Sequence, residues 1–236
     1  MTEFLTACAR RGLSGLSRAR KLAALREYYR YLVDNEVIVK APTSGVETPK
    51  KEHNTRSFLV PHEYHSVLSA AGGNSRDYAI FQVFLQTGLR VSELCALRLG
   101  DLELNARPYP LLHVRMGKGM RARTLALEKK AAQALKNYLA QRGESLCDAV
   151  FLNYAGDAIG ERGVRKIVAK YVQAAGISKK VSPHSLRHTF ATQKAEKGVS
   201  TYQLQGWLGH ANLNTTQVYV HLSKQSGGKV MEQTSL

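Results

Sequence analysis

The chain has 236 residues, 44% of them apolar and 22% charged, a balance that excludes a disordered body and allows one large core, or a large domain beside a small one. A total of 34 Lys and Arg against 18 Asp and Glu leaves a formal charge of +16, a field that draws polyanions and exceeds what solubility needs. The longest apolar stretch, residues 78–85, is far too short to cross a bilayer, and residues 1–10 lack the charged-then-apolar order of a signal peptide. The expected partner is therefore nucleic acid and not a membrane, and the expected place is the cytoplasm or the nucleoid.

The first fifty residues read as helices followed by a linker. From Ser17 the apolar positions Leu22, Leu25, Tyr28, Tyr29, Leu32 and Val33 keep helical spacing, with Arg18, Arg20, Lys21, Arg26 and Arg30 on the remaining surface. That basic surface is either solvated or laid against phosphates. Residues 41–51 bring two prolines, a glycine and little periodicity, which predicts a linker and a domain boundary.

Beyond it the pattern is mostly helical. Residues 77–86 predict an apolar helix that Gly88 ends, and Ser92 with Glu93 is expected to open the next, leaving Arg90 in a tight turn. Leu112, Val114 and Met116 alternate with His113 and Arg115 before Gly117-Lys118-Gly119, and MRARTLAL follows; this predicts a β-hairpin with a lysine at its tip. Helices are expected over 128–141 and 160–175, with a short strand at Val150-Phe151-Leu152 between them. Ser182 can cap a helix whose first position is Pro183, and Ser200 with Gln203 forms a capping box ahead of Leu204, Trp207 and Leu208. Gly209 is expected to stop that helix, and Asn212 or Asn214 to start a last one carrying Tyr219. Cys8, Cys95 and Cys147 are odd in number and far apart, so neither a disulfide framework nor a zinc knuckle is expected, and all three read as buried or inert thiols.

In HSLRHTFAT, residues 184–192, His184 and Arg187 are three apart and fall on one helical face, while Leu186 and Phe190 share another that faces the core. Guanidinium matches phosphate oxygens bidentately and imidazole exchanges a proton near neutral pH, the combination that phosphoryl transfer requires. His184 and His188 also have the spacing of two zinc ligands. No glutamate lies between them, however, and Arg187 would repel a dication, so His188 reads as structural. In LGHANLNTTQVYVH, residues 208–221, a histidine follows a helix-ending glycine and a tyrosine follows nine residues later. Taken alone this is weak, since such a tyrosine is usually a core or boundary residue.

Together, TGLRVSEL around Arg90, the glycine-flanked Lys118, HSLRH at His184 and LGHxxxxTTxxYxH ending on Tyr219 resemble the tyrosine recombinase family of phage integrases and Xer-type resolvases. The likeness covers about residues 56–222 and lies in the conjunction of four motifs in order. The fold it implies is mainly α with a small antiparallel β-sheet (α+β). A catalytic domain over 51–222 would follow a short, incomplete helical core-binding segment and linker over 1–50, because only SRARKLAALREYYRYLVDNEV matches the family's clamp domain. A tail, 223–236, would be exchanged between protomers.

The activity implied is site-specific DNA recombination through a 3′-phosphotyrosine, serving integration, excision or resolution of DNA elements. Tyr219 would be the nucleophile, Arg90 and Arg187 the clamp on the non-bridging oxygens, Lys118 the acid for the leaving 5′-oxygen, His184 the group that takes the tyrosine proton, and His210 a phosphate ligand. Glu93 would orient an arginine. Arg18, Arg20, Lys21, Arg26, Arg30, Arg121 and Arg123 are expected to meet DNA. No metal, nucleotide or other cofactor is implied. The implied partners are double-stranded DNA with inverted half-sites and further copies of the chain, as dimer and tetramer, with an accessory DNA-bending protein as an optional addition. A relaxing topoisomerase and a non-cleaving DNA-binding protein are the rival readings.

Overall fold

The computed structural model describes residues 2–49, 58–115, 122–143 and 145–209. The chain divides into two compact units, residues 1–55 and 56–236.

In the first unit α1 (Thr2–Arg10) packs on α2 (Gly15–Asp34), burying Leu5, Cys8, Ala19 and Leu22. Ser14 caps α2 by accepting the Ser17 N–H. Arg20, Lys21 and Arg30 are exposed, and Arg30 pairs with Glu27 on its own helix. Part of the expected linker is tied down: Arg26 donates to the Val46 carbonyl and to Thr48 Oγ1. Its guanidinium thus holds its own chain, where the sequence placed it among the phosphate contacts.

In the second unit α3 (Pro61–Ala71), α4 (Ser75–Thr87), α6 (Lys129–Arg142), α7 (Glu161–Ala174) and α8 (Pro183–Glu196) surround the core. Helix α4 is central, packing against α3, α6 and α8. Ile80, Phe81, Val83 and Phe84 on it are fully buried, so its burial extends around the helix and not along a single stripe. Asn74 caps it, accepting the Asp77 N–H at 2.9 Å, and Gly88 ends it in the left-handed conformation at φ +62. A Cβ on Gly88 would lie 2.4 Å from Phe190 Cδ1, so backbone angle and packing both demand glycine there.

Helix α5 (Val91–Ala96) begins one residue before Ser92, with Arg90 at its N-cap. The reason is Glu93, whose carboxylate reaches back three residues to accept the Arg90 N–H at 2.7 Å. A 3-10 turn, Leu99–Asp101, leads into a three-stranded antiparallel sheet. Its strands are β1 (Leu102–Glu103), β2 (Leu111–Val114) and β3 (Arg123–Ala126), with Leu112 opposite both Leu102 and Leu125. The hairpin was legible from alternation, whereas β1 is too short to show any. The segment expected to form a strand at 150–152 joins no ladder, and Val150 and Phe151 lie in a bend. Isolated bridges flank it, Arg98 with Ala149 and Leu152 with Ala158, because chain segments meet it for one pair at a time.

Helices α6 and α7 fall within a residue of the sequence reading, and α8 starts at Pro183 as expected. Ser182 accepts the Ser185 N–H with Pro183 in the first turn of α8. Helix α9 (Thr201–Leu208) is capped by Ser200 and stopped by Gly209 at φ +61. It packs on α8 and against β3, with Leu204 and Leu208 in a small cluster with Phe190, Ala191 and Ala195. Trp207 packs partly buried against both clusters. All three cysteines are free thiols, with Cys8 buried and Cys95 and Cys147 partly so. Burial, together with the nearby Glu161 charge, pushes the Cys95 thiol up to about 11 despite Arg165. Among the described residues no helix is long and apolar enough to cross a membrane.

Candidate active site

Three segments distant in sequence meet at the C-terminal end of α9. The α4–α5 turn supplies Arg90, β3 supplies Arg123, and α8 supplies Arg187. Glu93, from the first turn of α5, lies among them with 2% of its side chain exposed. Arg123 forks onto it, Nη1 to Oε1 and Nη2 to Oε2, both at 2.9 Å. Arg90 Nη1 adds a bond to Oε1 at 3.1 Å, and Arg187 Nη1 stands 3.9 Å from Oε2. Burial by itself would raise the Glu93 carboxyl; the Arg123 hydrogen bonds, the Arg90 amide and the two guanidinium charges outweigh it and hold the group below its ordinary value.

The same guanidinium groups bind the last carbonyls of α9. Arg123 Nε donates to Trp207 O at 2.6 Å, Arg187 Nη2 to Leu208 O at 2.7 Å, and Arg90 Nη2 to Gly209 O at 3.2 Å, with a longer contact from Nη1 to Leu208 O. Arg187 Nη1 also donates to Gly88 O at 2.8 Å, so this side chain joins the ends of α4 and α9. Helix C-termini carry unpaired carbonyls and a partial negative charge, which makes them good seats for cations. Three positive groups around a single carboxylate leave a positive excess. Arg187 forms the floor, 5% exposed, and Arg90 the rim, 33% exposed. An anion approaching from solvent meets Arg90 first, at the rim, and the excess of positive groups favours it.

The residues singled out from the sequence fall into distinct places. Arg90 and Arg187 share the Leu208 carbonyl. His184 is exposed in the first turn of α8, one turn before buried Arg187. His188 is 7% exposed and packs edge-on against Phe58 at 5.7 Å between ring centres, consistent with its structural reading. Lys118, Arg121, His210 and Tyr219 lie outside the described residues. Among the cations expected at DNA, Arg18 is half-buried, and Arg20, Lys21 and Arg30 are exposed. Arg123 departs from its expected role, since its side chain is only 8% exposed and bound to Glu93. The alternation of β3 carries the missed signal: Arg123 has the parity of buried Leu125 and Leu127 and so points inward.

Two family models match the chain, that of the phage integrase family over residues 57–226 and that of the phage integrase N-terminal SAM-like domain over residues 1–36. The chain belongs to the phage integrase family. It is thus a tyrosine recombinase, an enzyme that cleaves and rejoins DNA strands. Among curated relatives, a tyrosine recombinase of Pseudothermotoga lettingae is 38% identical over 90% of this chain and 73% of its own length. The tyrosine recombinase XerC of Halalkalibacterium halodurans is 36% identical over 94% of this chain and 76% of its own. Among solved structures, XerH bound to a palindromic difH substrate in a post-cleavage complex superposes with a TM-score of 0.78 at 24% identity, covering 97% of this chain and 70% of that one. This last likeness is one of fold. The family match extends over residues 210–226, which include the motif around Tyr219.

Proposed function

We propose that this recombinase acts at specific DNA sites through Tyr219, with Arg90 and Arg187 holding the scissile phosphate. The observation that carries the reading is the convergence of these two arginines on one carbonyl, that of Leu208, two residues before His210 in the chain. The phenolic oxygen of Tyr219 attacks phosphorus, forming a 3′-phosphotyrosine and breaking the bond to the 5′ oxygen. His184 takes the phenolic proton, which free phenol releases only near pH 10, and Lys118 protonates the departing 5′ oxygen. Arg90, Arg187 and His210 bind the oxygens on which charge builds in the pentavalent state. The covalent ester retains the energy of the diester, so a 5′-hydroxyl of a partner strand reverses the step and no nucleotide is consumed.

Each copy supplies one tyrosine, so exchange of four strands calls for assembly of dimers into a tetramer on inverted half-sites. XerH in its complex is bound to a palindromic substrate, which supports that arrangement. In this reading the exposed Arg20, Lys21 and Arg30, with Arg121, contact the DNA backbone, residues 1–50 form a core-binding segment, residues 223–236 dock on a neighbouring copy, and the enzyme works at the nucleoid, with a DNA-bending protein as an optional helper. Truncation after Leu222 tests the tail: unchanged synapsis would refute the docking.

A nicked suicide duplex tests the chemistry. The expected result is a covalent DNA adduct that disappears in Tyr219→Phe. Binding without adduct would leave a non-cleaving DNA-binding protein, and plasmid relaxation without site preference a topoisomerase.

A further inference from the structure

Glu93 is a buried carboxylate that two arginines hydrogen-bond and a third approaches, and two of those three are the proposed phosphate ligands. A carboxylate in that position is a hazard. It has the same bidentate affinity for guanidinium as the substrate phosphate, and it is already in place before DNA arrives. Its Oε1 is 3.1 Å from Arg90 Nη1, and its Oε2 only 3.9 Å from Arg187 Nη1. A shift of about 1 Å would turn the second approach into a full hydrogen bond.

We propose that Arg123 is a positioning residue that keeps Glu93 from capturing Arg90 and Arg187, and so sets the phosphate clamp. The inference rests on the assignment of those two arginines to the scissile phosphate. The geometry points to this role in three respects. Arg123 occupies both oxygens of Glu93 in a parallel fork at 2.9 Å each. Its third donor, Nε, is on Trp207 O at 2.6 Å, so the fork is fixed in direction by the end of α9. The site also leaves no room for error around the guanidinium, because a Cβ on Gly209 would lie 2.9 Å from Arg123 Nη1, at a backbone φ of +61. Glycine at 209 therefore serves the arginine as well as the helix stop. The backbone that carries this guanidinium is itself held in the sheet, where Arg123 pairs with Val114.

The test is a double-variant cycle on single-turnover adduct formation with the nicked suicide duplex. Arg123→Met is expected to slow adduct formation on the order of 10- to 100-fold, the scale of a misplaced reacting group, while DNA affinity changes by less than about twofold because binding is spread over many phosphates. Arg123→Met combined with Glu93→Gln is expected to recover at least about fivefold of that rate, since a neutral amide cannot form the ion pair that pulls the clamp aside. A merely structural arginine gives the opposite result: the second substitution compounds the damage. The proposal is overturned if the double variant is as slow as Arg123→Met or slower, or if Arg123→Met cleaves at the unmodified rate.

A substrate with sulfur in place of the bridging 5′ oxygen supplies a second arm, because a thiolate leaves without a proton donor. Should sulfur restore Arg123→Met fully, the defect lies with Lys118, five residues upstream, and the proposal fails. If Arg123→Met proves too unstable to purify, Arg123→Lys, which keeps the charge and loses the fork, passes through the same cycle under the same criteria. An unmodified enzyme that forms no adduct refutes the assignment of Tyr219 chemistry itself, and is told apart from all of these by that one control.

Discussion

At the scale of single residues, Gly88 and Glu93 show how closely fold and site are joined. A methyl group on Gly88 would meet the Phe190 ring at 2.4 Å with the backbone at φ +62. Gly88→Ala is expected to destabilise the protein by about 2–4 kcal/mol, from left-handed strain and overpacking together, read as a lower midpoint in chemical denaturation. The cost falls on the site as well, because Gly88 O holds Arg187. Glu93 titrates below its ordinary value, so the sign of its linkage is fixed. Its contribution to stability is present above the unfolded-state value, near 4.3, and is lost as pH falls through the folded value. Urea unfolding followed from pH 6 downward is expected to show an acid loss of stability that is shallower in Glu93→Gln. At Cys95, a thiol pushed up to about 11 stays protonated at neutral pH, and slow alkylation of the native enzyme is the expected outcome.

At the scale of elements, what was legible in the sequence follows from how local each signal is. Helices α2, α4, α7, α8 and α9 announce themselves by periodicity and by caps such as Ser182-Pro183 and Ser200 with Gln203, since those contacts close within one turn. Helix α3 carried a similar sign, Pro61 in its first turn with Glu63 accepting the Val60 N–H at 2.8 Å, that went unread. The β1 strand had no local sign, and the apolar run at 150–152 could not show that it meets its neighbours in single bridges, because pairing is decided by distant segments. The site divides in the same way. Arg90, His184 and Arg187 stand in recognisable motifs; the inward turn of Arg123 shows only in its parity with Leu125 and Leu127, and no local pattern shows its partner Glu93, thirty residues away. Two substitutions test elements directly. Asn74→Ala removes the oxygen that caps α4 and is expected to cost about 1 kcal/mol of stability. Arg187→Ala cuts the link between the ends of α4 and α9 and is expected to abolish cleavage while largely sparing DNA affinity, since phosphate contacts elsewhere carry the binding. A parallel collapse of affinity would argue against its assigned place.

At the scale of the whole molecule, the formal charge of +16 governs encounter with DNA more than it governs the fold. Affinity is expected to fall steeply with salt, roughly tenfold or more between 50 and 200 mM for even a few phosphate contacts. Arg20→Ala with Lys21→Ala, both exposed on α2, is expected to flatten the slope of log affinity against log salt by about one to two units. The rate of cleavage from the bound state is expected to stay unchanged. A slope equal to that of the parent would remove this helix from the DNA-facing surface.

The peptide carbonyls at the end of α9 give this arrangement a further meaning. Manufacturing tolerances accumulate when parts are mounted one upon another, and they vanish when all are referred to a single datum. Here the carbonyls of residues 207–209 are that datum: three guanidinium groups donate to them. Thermal displacement of α9 therefore carries the three guanidinium groups together, and their mutual spacing survives motions that would disperse groups mounted on separate loops.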